Sequence, residues 1–215
     1  MAFYVTEIFH SLQGETTRAG RPCVFVRFTG CDLRCRWCDT AYAFVGGTRM
    51  TLEEILERVA TYPARYVTLT GGEPLLQREL PALARALLDR GYEVAVETHG
   101  QRPWDALPPE VAKIVDVKPP GSGEVAKDED LARLSTLGPR DELKFVVASE
   151  EDFHWSVDVI RRHGLDRLGA ALLFSPVFGE VDDRDLARWL LDSGLDARMQ
   201  IQLHKLIWGA DARGV

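Results

Sequence analysis

A chain of 215 residues, 46 % hydrophobic and 27 % charged, is long enough for one domain with a substantial core and has a soluble, globular balance. No apolar run reaches the ~18–20 residues that span a bilayer, and the first residues lack the basic start and long apolar block of a signal peptide, so a cytoplasmic location with no membrane partner is expected. The formal net charge of −7 argues against a nucleic-acid surface but leaves room for a small nucleotide-like ligand.

Strand-like and helix-like segments alternate along the chain. Residues 23–29 read as a strand. Residues 51–61 read as a helix opened by the capping box Thr51-x-x-Glu54, with Leu52, Ile55, Leu56 and Val59 on one face. Tyr66–Thr70 is a strand, and residues 79–90 are a helix with Pro81 in its first turn. Tyr92–Glu97 and 113–117 are strands, 128–137 a helix and 142–148 a strand. Ser149-x-x-Asp152 caps the next helix. Ala170–Phe174 is a strand, 182–193 a helix and 198–203 a last strand, while the Pro- and Gly-rich stretch 119–127 is expected to be a long loop.

This alternation predicts a parallel sheet with right-handed crossovers. The count is about seven strands in one domain over 1–215. A full (β/α)8 barrel typically needs ~250 residues. The expectation is therefore an α/β fold of incomplete, partial TIM-like parallel β/α barrel type, with a doubly wound sheet as the alternative.

Three of the four cysteines, Cys31, Cys35 and Cys38, share one eight-residue loop spaced C-x3-C-x2-C. Three thiolates can hold three irons of a 4Fe–4S cluster and leave the fourth open, whereas an electron-carrying cluster normally takes four cysteines. The competing reading is structural zinc, which closes four ligands and would need His99 or His204 to approach in the fold. Cys23 stands apart in an apolar run and reads as a small buried hydrophobe.

Most of the unusual residues follow strand ends, where barrel and open α/β enzymes build their sites. The cysteines follow the first main strand, Gly71-Gly72-Glu73-Pro74 the second, Glu97-Thr98-His99-Gly100 closes the third, Lys118-Pro119-Pro120 follows the fourth and Ser175-Pro176 the sixth. Gln200-x-Gln202-x-His204-Lys205 lies along and after the last. Each has a plainer reading when taken alone. Gly71-Gly72 suits an ordinary turn, Lys118 a solvated lysine, His204 a hydrogen-bonded histidine, and Trp37 a shield against water.

The cysteine spacing followed by Gly71-Gly72-Glu73-Pro74 resembles the radical S-adenosylmethionine superfamily. A finer resemblance, over nearly the whole chain, is to the 7-carboxy-7-deazaguanine synthases. It rests on Phe9-His10-Ser11-Leu12-Gln13-Gly14-Glu15, Arg27, Cys38-Asp39-Thr40, Thr68-Leu69-Thr70 before the glycines, Glu97-Thr98-His99-Gly100, Asp116-Val117-Lys118-Pro119 and the Gln200–Lys205 segment. One departure is Thr16, where the family often has glycine.

The resemblance implies a lyase that converts 6-carboxy-5,6,7,8-tetrahydropterin to 7-carboxy-7-deazaguanine with loss of ammonia. The steps would be hydrogen abstraction from C6 and radical ring contraction, with S-adenosylmethionine reused. It also implies magnesium, a flavodoxin- or ferredoxin-like electron donor and a homodimer. Cys31, Cys35 and Cys38 would bind the cluster and Thr40 the magnesium. Trp37, Gly71, Gly72, Glu73, Glu97, Lys118 and Ser175 would meet S-adenosylmethionine. Leu12, Gln13, Gly14, Glu15, Arg27, Thr70, His204 and the Val215 carboxylate would meet the pterin. A glycyl-radical activase is the other enzymatic reading, and a zinc-stabilised binding module the non-enzymatic one.

Overall fold

Strand and helix alternation builds a nine-stranded sheet in the computed structural model, which describes residues 2–210 and 212–215. The strands are β1 (Ala2–Leu12), β2 (Pro22–Phe28), β3 (Thr48–Thr51), β4 (Tyr66–Gly71), β5 (Glu93–Thr98), β6 (Ala112–Asp116), β7 (Glu142–Val147), β8 (Ala171–Pro176) and β9 (Arg198–Met199). Their order is β3-β1-β2-β4-β5-β6-β7-β8-β9. From β2 through β4 to β9 every pairing is parallel. These strands follow one another without reversal, so the sheet has no doubly wound switch point. Strands β3 and β9 remain as edges, and the barrel is open.

The helices are α1 (Leu52–Ala60), α2 (Leu80–Asp89), α3 (Asp128–Arg133), α4 (Glu150–His163), α5 (Asp183–Ser193) and α6 (Leu203–Trp208). The expected capping box starts α1: the Glu54 N–H donates to the Thr51 hydroxyl, and the Thr51 N–H donates to the Glu54 carboxylate. Ser149 Oγ accepts from the Asp152 N–H at the start of α4, and left-handed Gly164 ends it.

Parallel strands are buried on both faces. Val24, Val26, Phe28, Val67, Leu69, Val94 and Val96 face outward into the core shared with Ile55, Leu83, Leu87, Phe153 and Ile160 of the helices. Cys23, Phe25, Tyr66, Ala95, Ala112 and Ile114 face inward as a smaller apolar cluster against Phe9. Further along the strands the inward positions turn polar: Arg27, Thr70, Glu97, Asp116 and, in register with Asp116, Lys144.

Four expectations need correction. The sheet has nine strands because β1 pairs antiparallel with both β2 and β3, which add to the parallel set. The last strand stops at Met199, and residues 203–208 are helical instead. The helix at 128–137 ends at Arg133 and tightens into a 3-10 turn over Leu134–Thr136. Ser175 lies within β8, because pairing with Val146 carries that strand through Pro176.

Candidate active site

The inward polar positions line a cavity of about 640 Å³ that opens at the carboxyl edge of the sheet. Its floor is the loop after β1. The Gln13 amide donates to Glu97 Oε1 at 3.1 Å, and the Thr70 hydroxyl to Glu97 Oε2 at 3.1 Å. Lys144 donates to Glu15 and lies 3.5 Å from Asp116 Oδ2, which also pairs with Lys118 at 3.0 Å. Thr16 carries this floor through a left-handed turn at φ 71, and its N–H donates to Gln200 Oε1 at 2.9 Å. Among the described residues no other non-glycine residue has a positive φ.

The tail closes the open side of the barrel. The Gln202 amide donates to Glu15 Oε1 at 2.7 Å, and the Leu203 N–H to the Gly14 carbonyl at 3.0 Å. The His204 ring lies so close over Gly14 that a Cβ there would collide with it. Lys205 pairs with Asp39 at 3.2 Å, beside the cysteine loop. Ala212, Arg213, Gly214 and Val215 also line the cavity.

These charges shift one another. Burial works against the Glu15 carboxylate, but Lys144 and Gln202 hold it below its usual range. Burial likewise opposes the Lys144 ammonium, and Glu15, Asp116 and Glu97 keep it firmly charged. Burial wins at Glu97, whose carboxyl is pushed up despite Lys144. At His204, burial lowers the imidazole below its ordinary value against the pull of Glu15.

Arg27 and Thr40 meet on the opposite wall. Arg27 Nε donates to Glu7 Oε1 at 2.8 Å, and Nη1 lies 3.4 Å from the Thr40 hydroxyl. Tyr42 braces the same carboxylate at 2.7 Å, and the Thr40 hydroxyl donates to Asp39 at 3.0 Å.

Cys31, Cys35 and Cys38 are free, half-buried and face this cavity. Burial pushes all three thiols up, Cys35 to about 11 despite nearby Lys118. The loop is fastened to the strand end after β4, where the Glu73 N–H donates to the Gly30 carbonyl at 2.7 Å. A Cβ on Gly72 would strike that carbonyl, so only glycine allows this approach. Cys23 is remote from the loop, buried in β2 at 3.2 Å from the Thr68 hydroxyl, with its thiol pushed up to about 12 by burial. Among the described residues, one set of metal-ligating atoms lies within 4.8 Å of one another: Cys31, Asp32 and His99. Cys35 and Cys38 stand outside it, so no compact four-ligand zinc site is preformed. Three spread sulfurs on one cavity, with no fourth in reach, fit a 4Fe–4S cluster with one open iron.

The structure brings most residues singled out above onto this one cavity: Leu12, Gln13, Gly14, Glu15, Arg27, Trp37, Thr40, Thr70, Gly71, Gly72, Glu97, Lys118, His204 and Val215 all line it. Glu73 does not. It is fully buried and accepts from the Thr98 hydroxyl and the Leu75 and His99 N–H groups, which orients the strand end. Ser175 is also off the wall, fully buried with its hydroxyl unpartnered among the described residues. The sequence reading does not single out Lys144, Glu7 or Tyr42, and it gives no role to Asp39 or Asp116. A charge at an inward position of a strand buried on both faces was the available signal for Lys144.

An open parallel barrel with three thiols at its carboxyl edge defines a radical S-adenosylmethionine protein, and the family model described as Radical SAM superfamily matches residues 25–191. The 7-carboxy-7-deazaguanine synthase of Koribacter versatilis (strain Ellin345) is 44 % identical over 225 residues, covering 98 % of this chain and 99 % of that protein. That of Chlorobaculum tepidum is 48 % identical over 216 residues, covering 98 % and 96 %. The crystal structure of QueE from Escherichia coli shares the fold, with a TM-score of 0.79 at 23 % identity over 95 % of each chain. The chain belongs to the 7-carboxy-7-deazaguanine synthase family.

Proposed function

We propose that the enzyme converts 6-carboxy-5,6,7,8-tetrahydropterin to 7-carboxy-7-deazaguanine with loss of ammonia. The observation that carries this reading is one cavity shared by the thiol loop, the Arg27–Thr40 wall and the Gln13–Glu15 floor. A 4Fe–4S cluster on Cys31, Cys35 and Cys38, with S-adenosylmethionine beside Gly71 and Gly72, supplies hydrogen-atom abstraction when bound.

The chain's own residues bind and orient. Glu7 holds Arg27 by one edge and leaves guanidinium N–H groups free to clasp the substrate carboxylate in a bidentate pair. Thr40, with Asp39 beside it, offers oxygen to a magnesium ion that keeps most of its waters. Glu97, oriented by Gln13 and Thr70, presents a carboxyl whose charge burial disfavours, suited to a polar ring edge. Lys118 lies near Cys35 and favours its thiolate. Gln202, His204 and Lys205, with Ala212, Arg213, Gly214 and Val215, cover the side of the pocket that the strands leave open.

A flavodoxin- or ferredoxin-like reductant, a homodimer of single-domain subunits and a cytoplasmic setting belong to the same proposal. Among the described residues no helix is long and apolar enough to cross a membrane. The test is an anaerobic assay with the carboxy-tetrahydropterin, dithionite, magnesium and S-adenosylmethionine. Many product turnovers per S-adenosylmethionine consumed are expected. Deoxyadenosine release with no pterin-derived product would overturn the reading.

A further inference from the structure

At the rim of the cavity, Asp32 and His99 make a contact that the proposed chemistry leaves unused. Cys31 Sγ, an Asp32 carboxylate oxygen and His99 Nε2 lie within 4.8 Å of one another. The His99 side chain is only 5 % exposed, with Nε2 3.0 Å from Asp32 Oδ1 and 3.2 Å from Glu73 Oε2. The Gln101 N–H donates to His99 Nδ1 at 3.1 Å. The neutral imidazole therefore carries its proton on Nε2 and donates it toward Asp32. The other Asp32 oxygen accepts from Arg102 Nε at 2.9 Å. The His99 N–H also donates to Glu73 Oε2 at 3.0 Å, so the ring is fixed to the strand end after β4 as well as to the cysteine loop.

We propose that the Asp32–His99 pair sets the reduction potential of the cluster held through Cys31, with the Asp32 carboxylate lowering it and the His99 Nε2–H bond moderating that effect. A fixed anion beside a ligating sulfur opposes the arrival of an electron. A donor hydrogen-bonded to that anion draws off part of its charge, and Arg102 does the same from the solvent side. Partners one step beyond the ligand tune a metal centre in this way. The inference rests on Cys31 being a cluster ligand. Asp32 and His99 are positioning residues that act through Cys31.

The experiment is a redox titration of the anaerobically reconstituted enzyme, followed by the paramagnetic signal of the reduced cluster, after iron and sulfide have been counted. His99→Leu, with wild-type iron content, should show about a tenfold lower ratio of reduced to oxidised cluster at the wild-type midpoint, about 59 mV for one electron. His99→Gln restores an N–H donor and should recover most of that shift. Asp32→Asn should shift the potential the opposite way, and most of the His99→Leu shift should vanish in that background, the remainder coming from Glu73. Asp32→Asn carries the test if His99→Leu fails to hold a cluster. A loaded Asp32→Asn enzyme with the wild-type potential overturns the inference and leaves the cluster assignment intact. A wild-type protein without about four iron and four sulfide overturns both.

Discussion

Lys144 of β7 and Glu15 of the loop after β1 form a buried ion pair on the cavity floor across 129 positions of sequence. The pair connects the centre of the parallel sheet to the segment that plugs the barrel. Asp116 keeps its pair with Lys118, so the loss of Lys144 leaves the desolvated Glu15 carboxylate without its cation. Lys144→Met should destabilise the fold by about 3–5 kcal/mol. Urea unfolding measures this, and adding Glu15→Gln should restore part of the loss. Unchanged stability in Lys144→Met would mean that water reaches the Glu15 carboxylate.

Glu15 and Glu97 should have opposite pH signatures. The folded pKa of Glu15 is lowered, so its stabilisation is complete above the unfolded value of about 4.3 and fades as pH falls through the lower folded value. Glu15→Gln should flatten that acid limb. The folded pKa of Glu97 is raised, so stability declines as pH rises past about 4.3 until the folded carboxyl ionises. Glu97→Gln should therefore match or exceed wild-type stability at pH 7 by about 1 kcal/mol. Its product formation should nonetheless fall at least about tenfold, the trade expected of a group kept for function. Thermal unfolding across pH, beside the anaerobic assay, checks both variants.

Gly14 leaves space for the His204 ring that no side chain could share. Gly14→Ala should push His204, and with it helix α6, away at a cost of about 1–3 kcal/mol of overpacking. The expected result is a kcat/KM for the pterin lowered about tenfold or more, with iron content unchanged. Equal loss of cluster and activity would instead place the damage in the cysteine loop.

Arg27 uses one edge on Glu7 and points another nitrogen toward Thr40. A lysine can serve one of these partners but not form a fork at the same time. Arg27→Lys should raise the KM for the pterin about tenfold or more, while S-adenosylmethionine still binds as in wild type. Titration with each small molecule separates the two effects.

Local signals revealed much of this architecture because they carry their own physics. The Thr51 and Ser149 caps, the apolar strands and the glycines at φ-demanding or crowded positions are each specified within a few residues. The strand-end pattern was enough to collect the thiols, Gly72, Glu97 and Lys118 on one edge. β1 escaped because most of its residues are only partly buried, and no sharp apolar alternation marks it. α6 escaped because Gln200–Lys205 alternates with period two and the short helix buries none of its residues. Ser175 was misplaced because its strand runs on into a proline. Nothing local signals the pairing of Lys144, because Glu15 and Asp116 come from other segments and only the folded sheet brings them together.

The stitching of Gln202 to Glu15 and of Gln200 to Thr16 has a consequence for the order in which the protein is made. The floor leaves the ribosome before the side that covers it, which follows 187 positions later. Cys31, Cys35 and Cys38 also precede the tail in the chain. Gln200 and Gln202 therefore reach their partners only after the floor and the cysteine loop have both been synthesised.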